Sequence, residues 1–146
     1  MIKLKKCQWI NRPQKSRILT SRSITFLSCS EHHFVHTTDQ DEKITFTFSS
    51  PCECGIAVIF SIGQGFRLYP QGSRIIGEMN FLDIKSTSQW KTDGEVRTLS
   101  VEKKGDTLFF YAEDRLFTSF SFASIGASVS ISFYSKGSGQ TTFTFS

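Results

Sequence analysis

RTLSVEKKGDTLFFYAEDRLFTSF, residues Arg97 to Phe120, divides into three short runs in which apolar residues alternate with polar ones. Lys103-Lys104-Gly105-Asp106 separates the first run from the second, and Glu113-Asp114 the second from the third. The runs are rich in Val, Leu, Phe and Tyr, and each is too short to make a helix. Aromatic and branched side chains suit a pleated surface, while Gly and Asp supply the backbone angles that a tight reversal needs. The stretch therefore predicts three consecutive antiparallel strands, and with them an all-β fold.

Period-two alternation continues on both sides of this meander. Ile24 and Phe26 begin it; Ile44, Phe46 and Phe48 alternate with Thr45 and Thr47; Val129, Ile131 and Phe133 alternate with Ser128, Ser130 and Ser132; and Thr141 to Ser146 repeats the pattern at the end of the sequence. Each segment offers one apolar and one hydroxyl-bearing face, as in a half-buried strand. Ile56 to Phe60 and Thr107 to Tyr111 differ in being apolar on both faces. They are expected as central strands whose second face is covered by a loop, a partner chain or a ligand. Gly65 to Pro70 and Met79 to Ile84 are expected as two further strands around Gly72 and Gly77. Short strands with turn signals about every 8 to 12 residues, and no linker or repeat, predict one domain over residues 1–146, a β-sandwich or barrel.

Composition agrees. With 146 residues the chain is long enough to bury about two-thirds of its unfolded surface. Its 15 phenylalanines must carry much of that burial, since apolar residues make up only 38% of the total. The net charge of +4 is uneven: Lys3, Lys5, Lys6, Arg12, Lys15, Arg17 and Arg22 all precede the first acidic residue, Glu31. We read this as a solvated, charged sheet edge that discourages sheet-to-sheet association. Nucleic acid is not expected as a partner, because only Trp9 is interleaved with those charges as a stacking group. No apolar run reaches the length of a membrane span and the first residues do not form a signal-peptide core, so a cytoplasmic protein with reduced thiols and no membrane partner is expected.

The segment from Trp90 to Ser146 resembles the concanavalin A-like lectin and glucanase superfamily, especially its small bacterial members of unknown function and the laminin-G-like domains. Trp90, Leu99, Val101, Glu102, Gly105, Asp106, Leu108, Phe110, Tyr111, Leu116, Phe133, Phe143 and Phe145 fill the positions of that pattern. Trp9-Ile10-Asn11-Arg12-Pro13 looks like the tryptophan-containing first strand of the small bacterial members. The chain departs from the pattern at the second reversal, where Glu113-Asp114-Arg115 replaces Asn-Gly. The resemblance implies a jelly roll of two antiparallel sheets, with a concave face that in many relatives holds carbohydrate.

The glucanases of this superfamily carry their carboxylates on one strand as Glu-x-Asp-x-Glu, and no such run is present. Glu78 and Asp83, five residues apart, would point to opposite faces of a regular strand. Cys29, His32, His33, His36, Cys52 and Cys54 include zinc-donor residue types but lack the paired knuckle spacing of a structural site, so no metal is assigned. No Gly-x-Ser-x-Gly elbow occurs, and the Lys136 to Gln140 loop precedes a strand where a phosphate loop needs a helix, so neither a catalytic residue nor a cofactor is assigned.

A binding face remains. Sugars are held by rings against their C–H faces and by polar side chains at their hydroxyls. Arg67, Tyr69, Asn80, Asp83, Trp90, Arg97 and Tyr111 are the candidate ligand-binding residues. The reading is therefore non-catalytic recognition of a carbohydrate or sugar-like ligand on the concave face of the sandwich. Its alternatives are an interaction module that dimerises through an exposed sheet face and, third, a divergent glycoside hydrolase.

Overall fold

The computed structural model describes residues 8–9, 16–20, 23–26, 32–48, 53–61, 64–81, 84–92, 96–121, 123, 128–136 and 141–146. Among these, fourteen strands are arranged in two antiparallel seven-stranded sheets. They are β1 (Gln8–Trp9), β2 (Ser16–Thr20), β3 (Ser23–Phe26), β4 (His32–Thr38), β5 (Glu42–Phe48), β6 (Glu53–Ser61), β7 (Gln64–Gln71), β8 (Arg74–Phe81), β9 (Ile84–Lys91), β10 (Thr98–Lys104), β11 (Thr107–Ala112), β12 (Arg115–Ser121), β13 (Val129–Lys136) and β14 (Thr141–Phe145). Sheet I runs β1-β4-β13-β6-β7-β8-β9 and sheet II runs β12-β11-β10-β5-β14-β3-β2. This is a jelly-roll β-sandwich.

The predicted meander is β10, β11 and β12, paired in order across two two-residue loops. Gly105 has φ of 59° at the first position of its loop, the pattern of a type II′ turn. In the second loop both Glu113 and Asp114 have positive φ, 49° and 63°, which is type I′ geometry made without glycine.

Alternation delivers the core. Ile44, Phe46 and Phe48 from β5, Leu99 and Val101 from β10, Leu108 and Phe110 from β11, and Phe143 and Phe145 from β14 are buried. They meet Cys54, Ile56 and Val58 from β6, Phe66 and Leu68 from β7, and Val129, Ile131 and Phe133 from β13. Phe46 lies within 5.7 Å of the rings of Phe48, Phe133, Phe143 and Phe145, and so joins β5 and β14 of sheet II to β13 of sheet I. Edge-to-face and tilted pairs of this kind stabilise a core beyond the area they bury.

Three expectations change. β6 is central, but β11 is next to the edge strand β12. Its outer face is covered within the chain: the Lys104 ammonium lies 5.8 Å from the Phe109 ring, and the Lys43 ammonium 4.4 Å from the Tyr111 ring. Long lysine stems thus supply there the cover that was expected of a loop, a partner chain or a ligand. Secondly, Met79 to Ile84 is not one strand but the end of β8 and the start of β9. Gly77 misled the reading, because it is not a turn but a mid-strand position forced by crowding. A Cβ there would sit 2.5 Å from Phe117 Cε1 and 3.0 Å from Phe66 Cζ.

Lys103 is the third surprise. It occupies the core-facing row of β10, only 3% exposed, with its ammonium donating to the Gly105 carbonyl at 3.0 Å and lying 3.6 Å from Asp41. The N-terminal segments supply sheet edges, β1 in sheet I and β2 in sheet II. Arg17 lies in β2, whereas Lys3, Lys5, Lys6, Arg12, Lys15 and Arg22 fall outside the described residues, as do Cys7, Cys29, Cys52, Asp83 and residues 137–140 of the glycine-rich connection. No helix among the described residues is long and apolar enough to cross a membrane.

Candidate functional site

The hairpin of β7 and β8 turns at Gly72, where φ is 61°. Counting back from the turn places Tyr69 opposite Ile76, Arg67 opposite Glu78 and Gly65 opposite Asn80. Because Phe66, Leu68 and Ile75 face the core, these residues stand on the outer face of sheet I. β6 extends the face on one side, with Ala57 opposite Arg67 and Ile59 opposite Gly65. β9 extends it on the other, with Lys85, Thr87 and Gln89 opposite Asn80, Glu78 and Ile76.

Glu78 is the hub. Its carboxylate is buried beneath its neighbours, with the side chain 11% exposed. Arg67 Nη2 donates to Oε2 at 2.6 Å, the Tyr69 hydroxyl donates to Oε1 at 2.7 Å, and Lys85 Nζ stands 3.6 Å from Oε2. The Arg67 guanidinium also lies 5.0 Å from the centre of the Tyr69 ring. Burial works to raise the Glu78 pKa, but the bonds from Tyr69 and Arg67 and the charges of Arg67 and Lys85 outweigh it, and the carboxyl is held below its ordinary value. Glu78 is therefore ionised at neutral pH and holds no proton to donate as a general acid.

Around this locked centre lie the small residues Gly65 and Ala57, the exposed Asn80, and Ile59, which is 77% exposed. Such a surface offers hydrogen-bonding groups of fixed orientation on a shallow floor. Among the described residues paired around Glu78 on β7, β8 and β9, and Ala57 and Ile59 of β6, none is a second carboxylate, while glycoside hydrolysis requires two. No cluster of three or more His, Cys, Asp or Glu able to hold a metal occurs among the described residues. His36 instead bonds Glu42 across the sandwich, and Cys54 is a core thiol that burial pushes up to about 12, so it is not a nucleophile at neutral pH.

The seven candidates do not form one site. Arg67, Tyr69 and Asn80 share the outer face of sheet I, and Asp83 lies outside the described residues. Trp90 belongs to the same strand as Lys85, Thr87 and Gln89 but has the opposite parity, so it turns inward against Phe117 at 4.5 Å with the Arg115 guanidinium 4.6 Å from its ring. Tyr111 is on the outer face of sheet II, where its hydroxyl donates to Glu102 at 3.0 Å. Arg97 precedes β10, and its backbone N–H donates to the Glu113 carboxylate. Glu78 and Lys85 were missed as members of the face. The signal was present, since a two-residue turn at Gly72-Ser73 pairs Arg67 with Glu78 by counting alone.

No protein-family model and no curated protein matches the sequence. The fold does have counterparts among solved structures. A functionally unknown protein from Saccharomyces cerevisiae is 14% identical with a TM-score of 0.70, over 99% of this chain and 96% of its own. The PSpry domain of TRIM65 is 9% identical with a TM-score of 0.65, over 96% of this chain and 88% of its own. An endo-β-1,3-glucanase from Pyrococcus furiosus is 6% identical with a TM-score of 0.64, over 92% of this chain and 76% of its own. At these identities the likeness is one of fold, and the fold is the concanavalin A-like jelly roll. An architecture shared by a PSpry domain and a glucanase leaves function to be argued from the site.

Proposed function

We propose that this protein is a non-catalytic recognition module, a single cytoplasmic domain that binds a carbohydrate or sugar-like ligand on the outer face of sheet I. The observation that carries the reading is the Arg67–Glu78–Tyr69 network, which fixes polar groups on the outer face of sheet I, away from the apolar core. Preorganised groups bind hydroxyls without first giving up rotamer freedom, and Asn80 and Lys85 at the margin add an amide and a cation. The glucanase fold neighbour acts on β-1,3-glucan, which makes laminari-oligosaccharides the first ligands to try. Titration calorimetry against a panel of β-gluco- and galacto-oligosaccharides is the test. Saturable binding weakened about tenfold or more by Asn80→Ala, roughly 1.4 kcal/mol, is expected, with no release of reducing ends. Absence of binding across the panel, or binding indifferent to Asn80→Ala and Lys85→Ala, would overturn it.

The second reading, an interaction module, is favoured by Ile59, a large apolar side chain 77% exposed on the same face. Concentration-independent monomeric sedimentation would remove its self-associating form.

A further inference from the structure

Sheet I ends in β9 and sheet II in β12, and between these edge strands the sandwich is not filled. A cavity of about 370 Å³ remains there, open to solvent. Its cause is visible in the sequence of β9. At the inward positions, where other strands place Ile, Leu or Phe, β9 has Ser86 and Ser88, opposite Met79 and Gly77 of β8. Both serines are exposed, and among the described residues neither hydroxyl has a hydrogen-bond partner.

The facing wall is aromatic. β12 shifts register by one residue against Phe110 and Tyr111, so that Phe117 is an extra residue in the strand and lines the cavity together with its neighbour Thr118. Bulges of this kind re-aim side chains at strand edges and beside functional sites. Phe117 is wedged between Trp90 at 4.5 Å and the space that Gly77 leaves vacant, and Phe120 packs at a tilt against Phe66 at 4.9 Å. The cleft thus has ring faces on one side and unpartnered serine hydroxyls on the other, and among the described residues no charged side chain lines it.

We propose that this cleft is a second binding site, separate from the outer face of sheet I, for an uncharged small molecule built on one or two flat rings and bearing a hydroxyl or carbonyl group. Its volume lies within the range of small-molecule sites, about 300 to 1,000 Å³. Flat rings would slide against Phe117 and Phe120, while the hydroxyls of Ser86 and Ser88 would receive the polar group. A fully apolar ligand would leave those hydroxyls desolvated and unpaired, and a charged one would find no counter-ion in the lining.

The neutral fluorophore N-phenyl-1-naphthylamine tests for ring binding, and 2-naphthol competing with it tests for the hydroxyl. In a Trp9→Phe background Trp90 is the sole tryptophan, so transfer of its emission to the bound probe reports on this cleft. The expected result is saturable 1:1 binding with quenched Trp90 emission, competition by 2-naphthol, and at least tenfold weakening in Ser88→Phe, which fills the cavity. Ser86→Leu provides a second filling variant if Ser88→Phe does not fold. Asn80→Ala should leave the probe's affinity unchanged whether or not the outer face binds sugar. Non-saturable uptake, retention of affinity in both filled variants, or displacement of the probe by laminari-oligosaccharides would overturn the proposal.

Discussion

At Glu113 and Asp114 the chain makes a type I′ turn with two residues that resist it, since positive φ brings Cβ against the neighbouring carbonyl. Glu113 is retained for what its side chain does: its carboxylate accepts the backbone N–H groups of Arg97 and Thr98, and its own N–H donates to the Thr98 carbonyl. One residue thereby anchors the start of β10 to the far turn of the meander. Asp114 makes no such contact among the described residues, so Asp114→Gly should relieve its φ and raise stability by about 1 kcal/mol, measured as a shift in urea midpoint. Glu113→Gly should not stabilise, because it removes the anchor along with the strain.

Glu78 makes a prediction in pH. Its folded pKa is depressed below the ordinary 4.5, so it contributes stability that is fully present above that value and lost as pH falls through the folded pKa. Urea midpoints measured from pH 7 down to pH 3 should fall less steeply in Glu78→Gln than in the wild type. Identical slopes would mean that Arg67 and Tyr69 do not hold the carboxylate in solution.

Among the elements, β10 shows what alternation alone conceals. Leu99, Val101 and Lys103 occupy one row, and all three are buried. The lysine stem packs as an apolar residue, and its ammonium ends at the mouth of the sandwich, where Asp41 also accepts the Gly105 N–H at 2.9 Å. Lys103→Met keeps the volume and removes the burden of a buried charge, so it should be neutral or mildly stabilising. Asp41→Ala leaves the ammonium with the Gly105 carbonyl and frees the Gly105 N–H, and it should destabilise, though by no more than about 1 kcal/mol because Asp41 is exposed. Thermal denaturation of both variants gives the comparison; a larger loss in Lys103→Met than in Asp41→Ala would contradict it.

The strands with clean alternation, β5, β13 and β14, were legible because each has one face in the core and one in water. Strand order was less so: two apolar faces suggested a central place for β11, but lysines from neighbouring positions covered its outer face and a penultimate place sufficed. Gly77 was read as punctuation because sequence cannot show a phenylalanine from a strand forty residues later occupying the space of its Cβ. The outer-face cluster was half legible. Arg67, Tyr69 and Asn80 were found by residue type, while Glu78 was weighed only as half of a catalytic pair and Trp90 was assigned without regard to its parity on β9.

On the scale of the whole molecule, the two sheets are joined by phenylalanines, with Phe46 and Phe145 of sheet II meeting Phe133 of sheet I, and Phe110 meeting Phe66. That core does not include the polar residues on the outer face of sheet I, so substitutions at Asn80 or Lys85 should leave the fold intact while testing the proposed recognition. The direct test is to follow backbone amide resonances while a laminari-oligosaccharide, or whichever glycan of the panel binds, is titrated in. The expected shifts cluster at residues 65–69, 76–80 and 85–89, three adjacent strand segments of one face. Shifts confined to the outer face of sheet II around Tyr111, or none with any glycan, would contradict the proposed function.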